Sequence, residues 1–336
     1  MIPSYQFNET NYAHLPCPAA LQIMKYTVFI CLAFACLVKA ALSAEITAEK
    51  NGTVIHFAID GKSICDYQME PGEVPEGVSK VFAHGAHLHP IYSPSGKLVT
   101  GNHPDDHRWH RGVWMAWTKT EFGDSHPDFW NMGKEREKLA AEVRFEKLVQ
   151  LTPSGFISQH VFLDHSHTLD ENVLNETWEV AVSQKTLDGT RTNVNDLTST
   201  QTCAGEKALK LPKYHYGGLG VRGNLAWNLV EAVTMLTSDG HDRKAGDSTK
   251  GKWVHIGGEV DGTPTGMAIL IHPSNFRFPQ PLRLNPKNPQ LCIAPSQDGD
   301  WAIEPGKPYV SKYRLLVFDG KPDAKWIEAQ WQSYAK

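Results

Sequence analysis

The sequence is poor in cysteine and nearly balanced in charge. It has six cysteines in 336 residues, and three of them precede position 45. The other three, Cys65, Cys203 and Cys292, are widely spaced and odd in number, so the sequence predicts neither a disulfide framework nor a cysteine-based metal site. The formal net charge is −4. This argues against a nucleic-acid partner, because nucleic-acid-binding proteins present a basic face.

The sequence also lacks a second long hydrophobic run. The one run present, Tyr26 to Val38, follows a lysine and precedes small residues, which is typical of a secretory signal peptide. It is shorter than the roughly 20 apolar residues of a membrane span. We therefore expect residues 24–44 to be a cleaved leader, residues 1–23 to be a non-native upstream extension, and the protein to be secreted or periplasmic. After cleavage we expect no stable membrane insertion. An uncut anchoring helix is the alternative.

Internal repeats, low-complexity tracts and long linkers are absent, so residues 45–336 are predicted to form a single domain. Short alternating segments separated by Asp-Gly pairs, beginning with Val54 to Ile59 before Asp60-Gly61, predict an all-β sandwich. A helical pattern with a proline in its first turn predicts a short C-terminal helix from Pro322 to Tyr334. The proline-rich stretch 278–289 is predicted to be a long ordered loop, and such loops are often functional.

The most unusual stretch is Gly101 to Trp114. It holds three histidines, two aspartates, two arginines and two tryptophans within fourteen residues. A hydrophobic core has no use for this mixture, because every buried ionisable group costs free energy unless a partner satisfies it. Functional sites are where such groups collect. We interpret the stretch as the wall of a site.

The histidines of this stretch leave two interpretations open. His103, His107 and His110 would share one face of a helix, as metal ligands can, but Pro104 favours an irregular loop. A divalent metal therefore remains an alternative, while no other cofactor is predicted. Histidines that merely hold the base of a loop by hydrogen bonds are the second interpretation, and it applies also to the nearby His84, His87 and His89.

Other polar and aromatic residues complete the candidate site. The carboxylate of Asp106 and the guanidinium of Arg111 are suited to sugar hydroxyls, or else form an exposed ion network. Trp109 offers a face for a sugar ring, although Trp109, Trp114, Trp117 and Trp130 would serve equally well as core. Two further segments contribute to the candidate site. A glycine-rich strand carries Arg222, which is predicted to point into the site, and a buried strand is followed by His272 and Asn275.

The stretch Asn102-His-Pro-Asp-Asp-His-Arg-Trp-His-Arg-Gly-Val-Trp114 resembles the DUF6807 type of secreted bacterial family of unknown function. The segments 217–222, 272–275 and 304–314 match the same family in order. Members are often labelled as methane oxygenase subunits, which would require several membrane spans that this chain does not have. The family is similar to galactose-mutarotase-like proteins, and the turn at Pro305-Gly306 fits that fold. The resemblance implies a β-supersandwich with a histidine and a carboxylate as acid and base.

We therefore expect a carbohydrate-active protein, with acid–base chemistry of the epimerase (isomerase), lyase or hydrolase type. The histidines His107, His110 and His272 are the candidate catalytic residues. A carbohydrate or glycan is the expected partner, held by Asp106, Trp109, Arg111, Arg222 and Asn275. The alternatives are a non-catalytic carbohydrate-binding protein and a histidine-ligated metal-dependent enzyme.

Overall fold

A computed structural model describes residues 1, 3–4, 45–132 and 139–336 of the protein. The chain divides into two compact units, Met1–Glu45 and Ile46–Lys336. The predicted extension and signal peptide lie almost entirely outside the described residues and stay predictions. In the part of the chain that is described, no helix has the length and apolar character needed to cross a membrane. All the strands and helices below belong to the second unit.

That unit consists mainly of β-strands. In chain order they are β1 (Ile46–Asn51), β2 (Val54–Ile59), β3 (Lys62–Gln68), β4 (His87–Ile91), β5 (Val113–Ala116), β6 (Ala141–Thr152), β7 (Gly155–Asp164), β8 (Glu171–Leu187), β9 (Thr190–Cys203), β10 (Leu209–Leu211), β11 (Gly218–Arg222), β12 (Val233–Thr237), β13 (Lys250–Gly251), β14 (Trp253–Val260), β15 (Thr263–Ile271), β16 (Gln280–Leu284), β17 (Gln290–Ile293), β18 (Trp301–Ile303) and β19 (Tyr309–Asp319). The helices are α1 (Arg243–Gly246) and α2 (Ala324–Tyr334).

The strands form two large antiparallel sheets. The front sheet has nine strands in the order β1-β2-β3-β4-β5-β11-β17-β16-β13, and the back sheet has eight in the order β12-β14-β15-β19-β9-β8-β7-β6. A small pair, β10 with β18, stands apart from both. The prediction of an all-β sandwich with a short C-terminal helix is confirmed.

Asp-Gly pairs make the hairpin turns that the sequence predicts. Asp60 and Gly61 have φ angles of 49° and 73° between β2 and β3. The pairs at 188–189 and 261–262 also have positive φ values, between β8 and β9 and between β14 and β15. Two consecutive left-handed residues suit the twist of adjacent strands, and Asp followed by Gly tolerates them best. These pairs therefore fix the register of three hairpins.

Alternate side chains of both sheets point inward and meet in one hydrophobic core. Tyr67 of the front sheet stacks on Phe156 of the back sheet, with ring centroids 4.1 Å apart. Leu219 and Val221 on β11 are fully buried in this core. Because side chains alternate along a strand, their neighbours Gly220 and Arg222 point to the outer face of the front sheet. That face carries the candidate site.

A layer of aromatic side chains covers the outer face of the front sheet. Trp109, Trp114 and Trp130 belong to this layer. Trp117 is in the same buried cluster, but it donates to Gln201 of β9 at 2.8 Å and contacts Tyr309 of β19, so it packs against the back sheet. A Cβ atom added at Gly220 would lie 2.6 Å from the ring of Trp130 and 2.7 Å from that of Trp114. The glycine thus provides the space in which these two indoles pack on β11.

Helix α2 packs on the outer face of the back sheet. Ile327 is fully buried there, and the indole Nε1 of Trp331 donates to the carbonyl of Ile271 at 2.9 Å. The helix begins two residues later than the sequence pattern indicates. Asp323 is its N-cap and accepts bonds from two backbone N–H groups of the first turn, so Pro322 precedes the cap.

Candidate functional site

The loop before β5 presents most of the candidate residues. Residues 101–112 fold back on themselves through backbone bonds from His103 N to the carbonyl of His110 and from Gly112 N to that of Gly101. A tight turn at Pro104 to His107 forms the tip. The segment is a loop and not a helix, as Pro104 predicts. Gly112 closes it, because a Cβ atom there would lie 2.0 Å from the carbonyl oxygen of Leu88.

A buried arginine holds Asp106 at the tip of this loop. Arg222 ends β11 with a fully buried side chain, and its two terminal nitrogens donate to the two carboxylate oxygens of Asp106 at 2.9 and 3.3 Å. The side chain of Asn228 accepts a further bond from Arg222 at 2.6 Å. Partial burial raises the pKa of Asp106, but the bonds and charge of Arg222, with His107, outweigh it and lower the pKa. Asp106 is therefore a carboxylate at neutral pH.

Two histidines stack beside this ion pair. The rings of His107 and His110 lie 4.5 Å apart at an angle of 17°. Nδ1 of His107 is 3.0 Å from a carboxylate oxygen of Asp106, and 31% of its side chain is exposed. His110 is buried, and Arg222 donates to its Nδ1 at 3.2 Å. Because a guanidinium can only donate, His110 carries its hydrogen on Nε2.

The short connection between β16 and β17 contributes Asn288. The prediction of a long loop over 278–289 is wrong, because residues 280–284 form β16 and only 285–289 connect it to β17. Its amide Nδ2 donates to Asp106 at 2.7 Å and lies 3.4 Å from Nδ1 of His107. The shorter contact of His107 with the carboxylate favours the tautomer with hydrogen on Nδ1. Three buried groups here have polar atoms with no hydrogen-bond partner within the described residues: Asn288 Oδ1, Arg222 Nε and both side-chain atoms of Gln290. Gln290 pairs with Arg222 across β11 and β17. These atoms can still bond a polar ligand or water.

The tryptophans lie beneath the site and not on its surface. Trp109 is 8% exposed and contacts the rings of Phe82 at 6.3 Å and His107 at 5.0 Å. Trp114, Trp117 and Trp130 are almost completely buried. Trp109, Trp114 and Trp130 contact the ring of His107 or His110 and support it by packing.

Arg111 points away from Asp106 into a second, fully buried cluster. Its NH1 donates to the sulfur of Met132 at 3.2 Å, and its positive charge acts on the imidazoles of His84, His87 and His103. The ring of His84 lies 4.8 Å from that of His103 and 5.2 Å from that of His87. Burial, then the charge of Arg111, lower the pKa of His84 and His87 well below the usual value. Over residues 45–132 and 139–336, no group of three or more potential ligands is arranged to hold a metal ion.

His272 and Asn275 lie at a different place on the molecule. His272 follows β15 of the back sheet, where it bonds Ser274 and contacts the ring of Tyr334 at 5.3 Å. Asn275 is buried and bonds Gln280 and the backbone of Lys312. None of these contacts is with the Asp106–Arg222 pair. The structure thus brings together Asp106, His107, His110 and Arg222 but not His272 and Asn275.

The sequence of residues 54–332 matches the model of a family of unknown function, DUF6807. The chain belongs to this family. No curated protein matches the sequence. Among solved structures, this DUF6807 protein is similar to heparan sulfate lyase HepC from Pedobacter heparinus, with a TM-score of 0.39 and 11% identity. The match covers 82% of this chain and 37% of the lyase. No activity is carried over from so distant a similarity.

Sequence reasoning missed two asparagines of the DUF6807 site. Asn288 lies within the proline-rich stretch that the sequence singles out as functional, although that stretch is partly strand and the residue was not selected. Asn228 follows Arg222 by six positions in a short helical turn, and no pattern distinguishes it. Tyr216, whose hydroxyl accepts from Asn285 at 3.1 Å, also lies along this face.

Proposed function

We propose that this DUF6807 protein binds a carbohydrate at Asp106, His107, Arg222 and Asn288, and that His107 exchanges a proton with it. One observation supports this most directly. A partly exposed imidazole contacts a carboxylate that a fully buried arginine holds in a bidentate bond. Such an arrangement fixes the orientation of an acid–base histidine and stabilises its protonated form.

Each residue has a distinct part in this proposal. Asp106 keeps the hydrogen of His107 on Nδ1, so Nε2 is the nitrogen that takes a proton from a sugar hydroxyl or carbon and returns it. Arg222 keeps Asp106 ionised. Asn288 holds Asp106 from a second side, and the buried polar atoms of Asn288 and Gln290 that have no partner can bond an ordered water molecule. The reaction class is proton transfer on a sugar, as in epimerisation, elimination or hydrolysis.

The geometry favours His107 over the other two candidates. His110 is 2% exposed, so we assign it a positioning role beneath His107. His272 contacts none of the groups that would assist it. Trp109 and Arg111 are both buried, and we assign them to the support of the loop and not to contact with the sugar.

The first experiment compares His107→Gln with a matched control. His167 and Asp124 form an exposed ion pair elsewhere, at 3.6 Å, and His167→Gln removes an imidazole that has no part in the proposal. Both variants and the wild type are screened against a panel of mono- and oligosaccharides, with binding measured by calorimetry and products identified by NMR. We expect turnover to fall by roughly 10²–10⁴-fold in His107→Gln only.

The outcomes separate the candidate functions. Unchanged turnover in His107→Gln contradicts the catalytic assignment. Binding of a sugar by the wild type without any product makes the protein a non-catalytic carbohydrate-binding protein. Turnover that is lost with a chelator and restored by a metal ion makes it a metal-dependent enzyme.

Secretion or a periplasmic location remains part of the proposal, because a signal peptide at 24–44 would export the domain. N-terminal sequencing of the protein purified from its native source tests this. A mature chain that begins near residue 45 supports it, and a retained leader contradicts it.

A further inference from the structure

We infer that the site extends into a groove with a second sugar subsite beside Tyr214 and His215, so that the ligand is an oligosaccharide. This inference rests on the proposed function and specifies its substrate class. Three observations support it: a continuous series of polar contacts, a row of accessible rings, and a cleft of suitable size.

The polar contacts lead from Asp106 along the outer face of the front sheet. Asn288 donates to Asp106 at 2.7 Å, and its backbone N–H donates to the side chain of Asn285 at 3.3 Å. Asn285 in turn donates to the hydroxyl of Tyr216 at 3.1 Å. The same short loop therefore contacts both the candidate acid–base pair and Tyr216.

Three consecutive rings continue from that point. The centroids of Tyr216 and His215 are 4.6 Å apart, and those of His215 and Tyr214 are 4.4 Å apart. His215 is exposed and both tyrosines are half-buried, in contrast to the buried tryptophans. Arg283 forms an ion pair with Asp247, and its guanidinium carbon lies 5.2 Å from the ring centroid of Tyr216. Accessible rings with polar edges are suited to the apolar faces of sugar rings.

A cleft of about 530 Å³ lies against Tyr214 and His215. This volume is within the roughly 300–1,000 Å³ of small-molecule sites. Its other walls carry hydroxyl and amide groups of Ser248, Thr249 and Gln297. Lys250 pairs with Asp298 at 2.6 Å, so this charge is already balanced. Lys213 adds one further positive charge to the lining. Walls made mostly of neutral hydrogen-bonding groups with one such charge fit a neutral or singly charged sugar unit.

The test measures affinity as a function of chain length. Glucose, galactose and mannose and their oligosaccharides of two to four units are titrated by calorimetry. With the wild type we expect affinity to rise by about tenfold between one unit and three. Tyr214→Ala should abolish that rise, while Tyr214→Phe, which keeps the ring, should retain it. Tyr92→Ala, at another half-buried tyrosine, is the control.

A second variant acts from the opposite wall. Ser248 is exposed, so Ser248→Trp narrows the cleft from the wall opposite Tyr214 and should also abolish the gain with length. Because the φ angle of Ser248 is 63°, which bulky residues adopt poorly, a melting curve first verifies that the variant folds. Equal affinity for one and four units, or a gain that persists in both Tyr214→Ala and Ser248→Trp, overturns the second subsite but leaves the proposed function standing. Failure of every sugar to bind overturns the proposed function itself.

Discussion

The side chain of Arg222 connects three other side chains of the candidate site. It bonds Asp106, Asn228 and His110 from a fully buried position at the end of β11. A guanidinium can serve all three because its five N–H groups form a rigid planar fork. The position of the loop tip and the tautomer of His110 therefore both depend on one side chain.

We expect Arg222→Met to lower the free energy of unfolding by about 2 kcal/mol. The loss stays moderate because Asp106 is 39% exposed and keeps part of its hydration. Urea denaturation of the wild type and variant measures the difference. Arg222→Lys keeps the positive charge but not the planar set of donors, so its stability should lie between those of the wild type and Arg222→Met. An unchanged midpoint in Arg222→Met would show that the ion pair does not stabilise the fold.

At the scale of elements, β11 combines two functions on its two faces. Its inward side chains belong to the core between the sheets, and its outward positions carry Gly220 below the indoles and Arg222 in the site. The loop that contains His107 rests on those indoles. A change in the packing of the indoles at Gly220 is therefore expected to displace the loop that carries His107.

Gly220→Ala tests this packing. The added methyl group would approach two rigid, buried rings to less than 3 Å, so we expect a destabilisation of about 1–3 kcal/mol. Gly205→Ala is the matched control, because a Cβ atom there meets nothing within 4 Å. Thermal unfolding of both variants measures the effect. Similar melting temperatures for Gly220→Ala and Gly205→Ala would mean that the indoles move aside without a loss of stability.

Local sequence patterns predicted the elements better than their placement. The hairpin at Asp60-Gly61 and the C-terminal helix follow from turn chemistry and periodicity. The position of His272 could not be predicted in this way, because the pattern shows that a strand ends there but not which sheet that strand joins. Trp109 is similar, since an indole on a loop has the same sequence signature whether it is buried or open. Asn288 reaches Asp106 across 182 positions, and no local signal encodes that contact.

At the scale of the whole molecule, buried histidines make the fold sensitive to acid. Burial lowers the pKa of His255 to about 3, and it is also the main reason why the pKa of His89 is about 4. The pKa values of His84 and His87 are also far below the usual 6.5. Below pH 6.5 the unfolded chain binds protons that the folded protein does not bind. The contribution of these neutral histidines to stability is therefore fully present above pH 6.5 and is lost as the pH falls.

We expect the free energy of unfolding to fall continuously from pH 6.5 to pH 5, by up to about 1.4 kcal/mol per pH unit for each of these histidines. The contribution of a single group can be isolated with His255→Gln, which does not titrate and should give a shallower slope. Denaturation curves at several pH values provide the measurement. Identical slopes in both proteins would exclude His255 as a contributor.

The candidate site draws on three stretches of chain that are remote from one another, since Asp106 and Arg222 are 116 positions apart. These stretches come together only in the native molecule, and no isolated peptide can reproduce them. A cognate compound must therefore bind the native state alone and raise the melting temperature, by an amount equivalent to about 2.7 kcal/mol at a hundredfold excess over its dissociation constant. A thermal-shift screen of a metabolite library can thus find the ligand before any reaction is known.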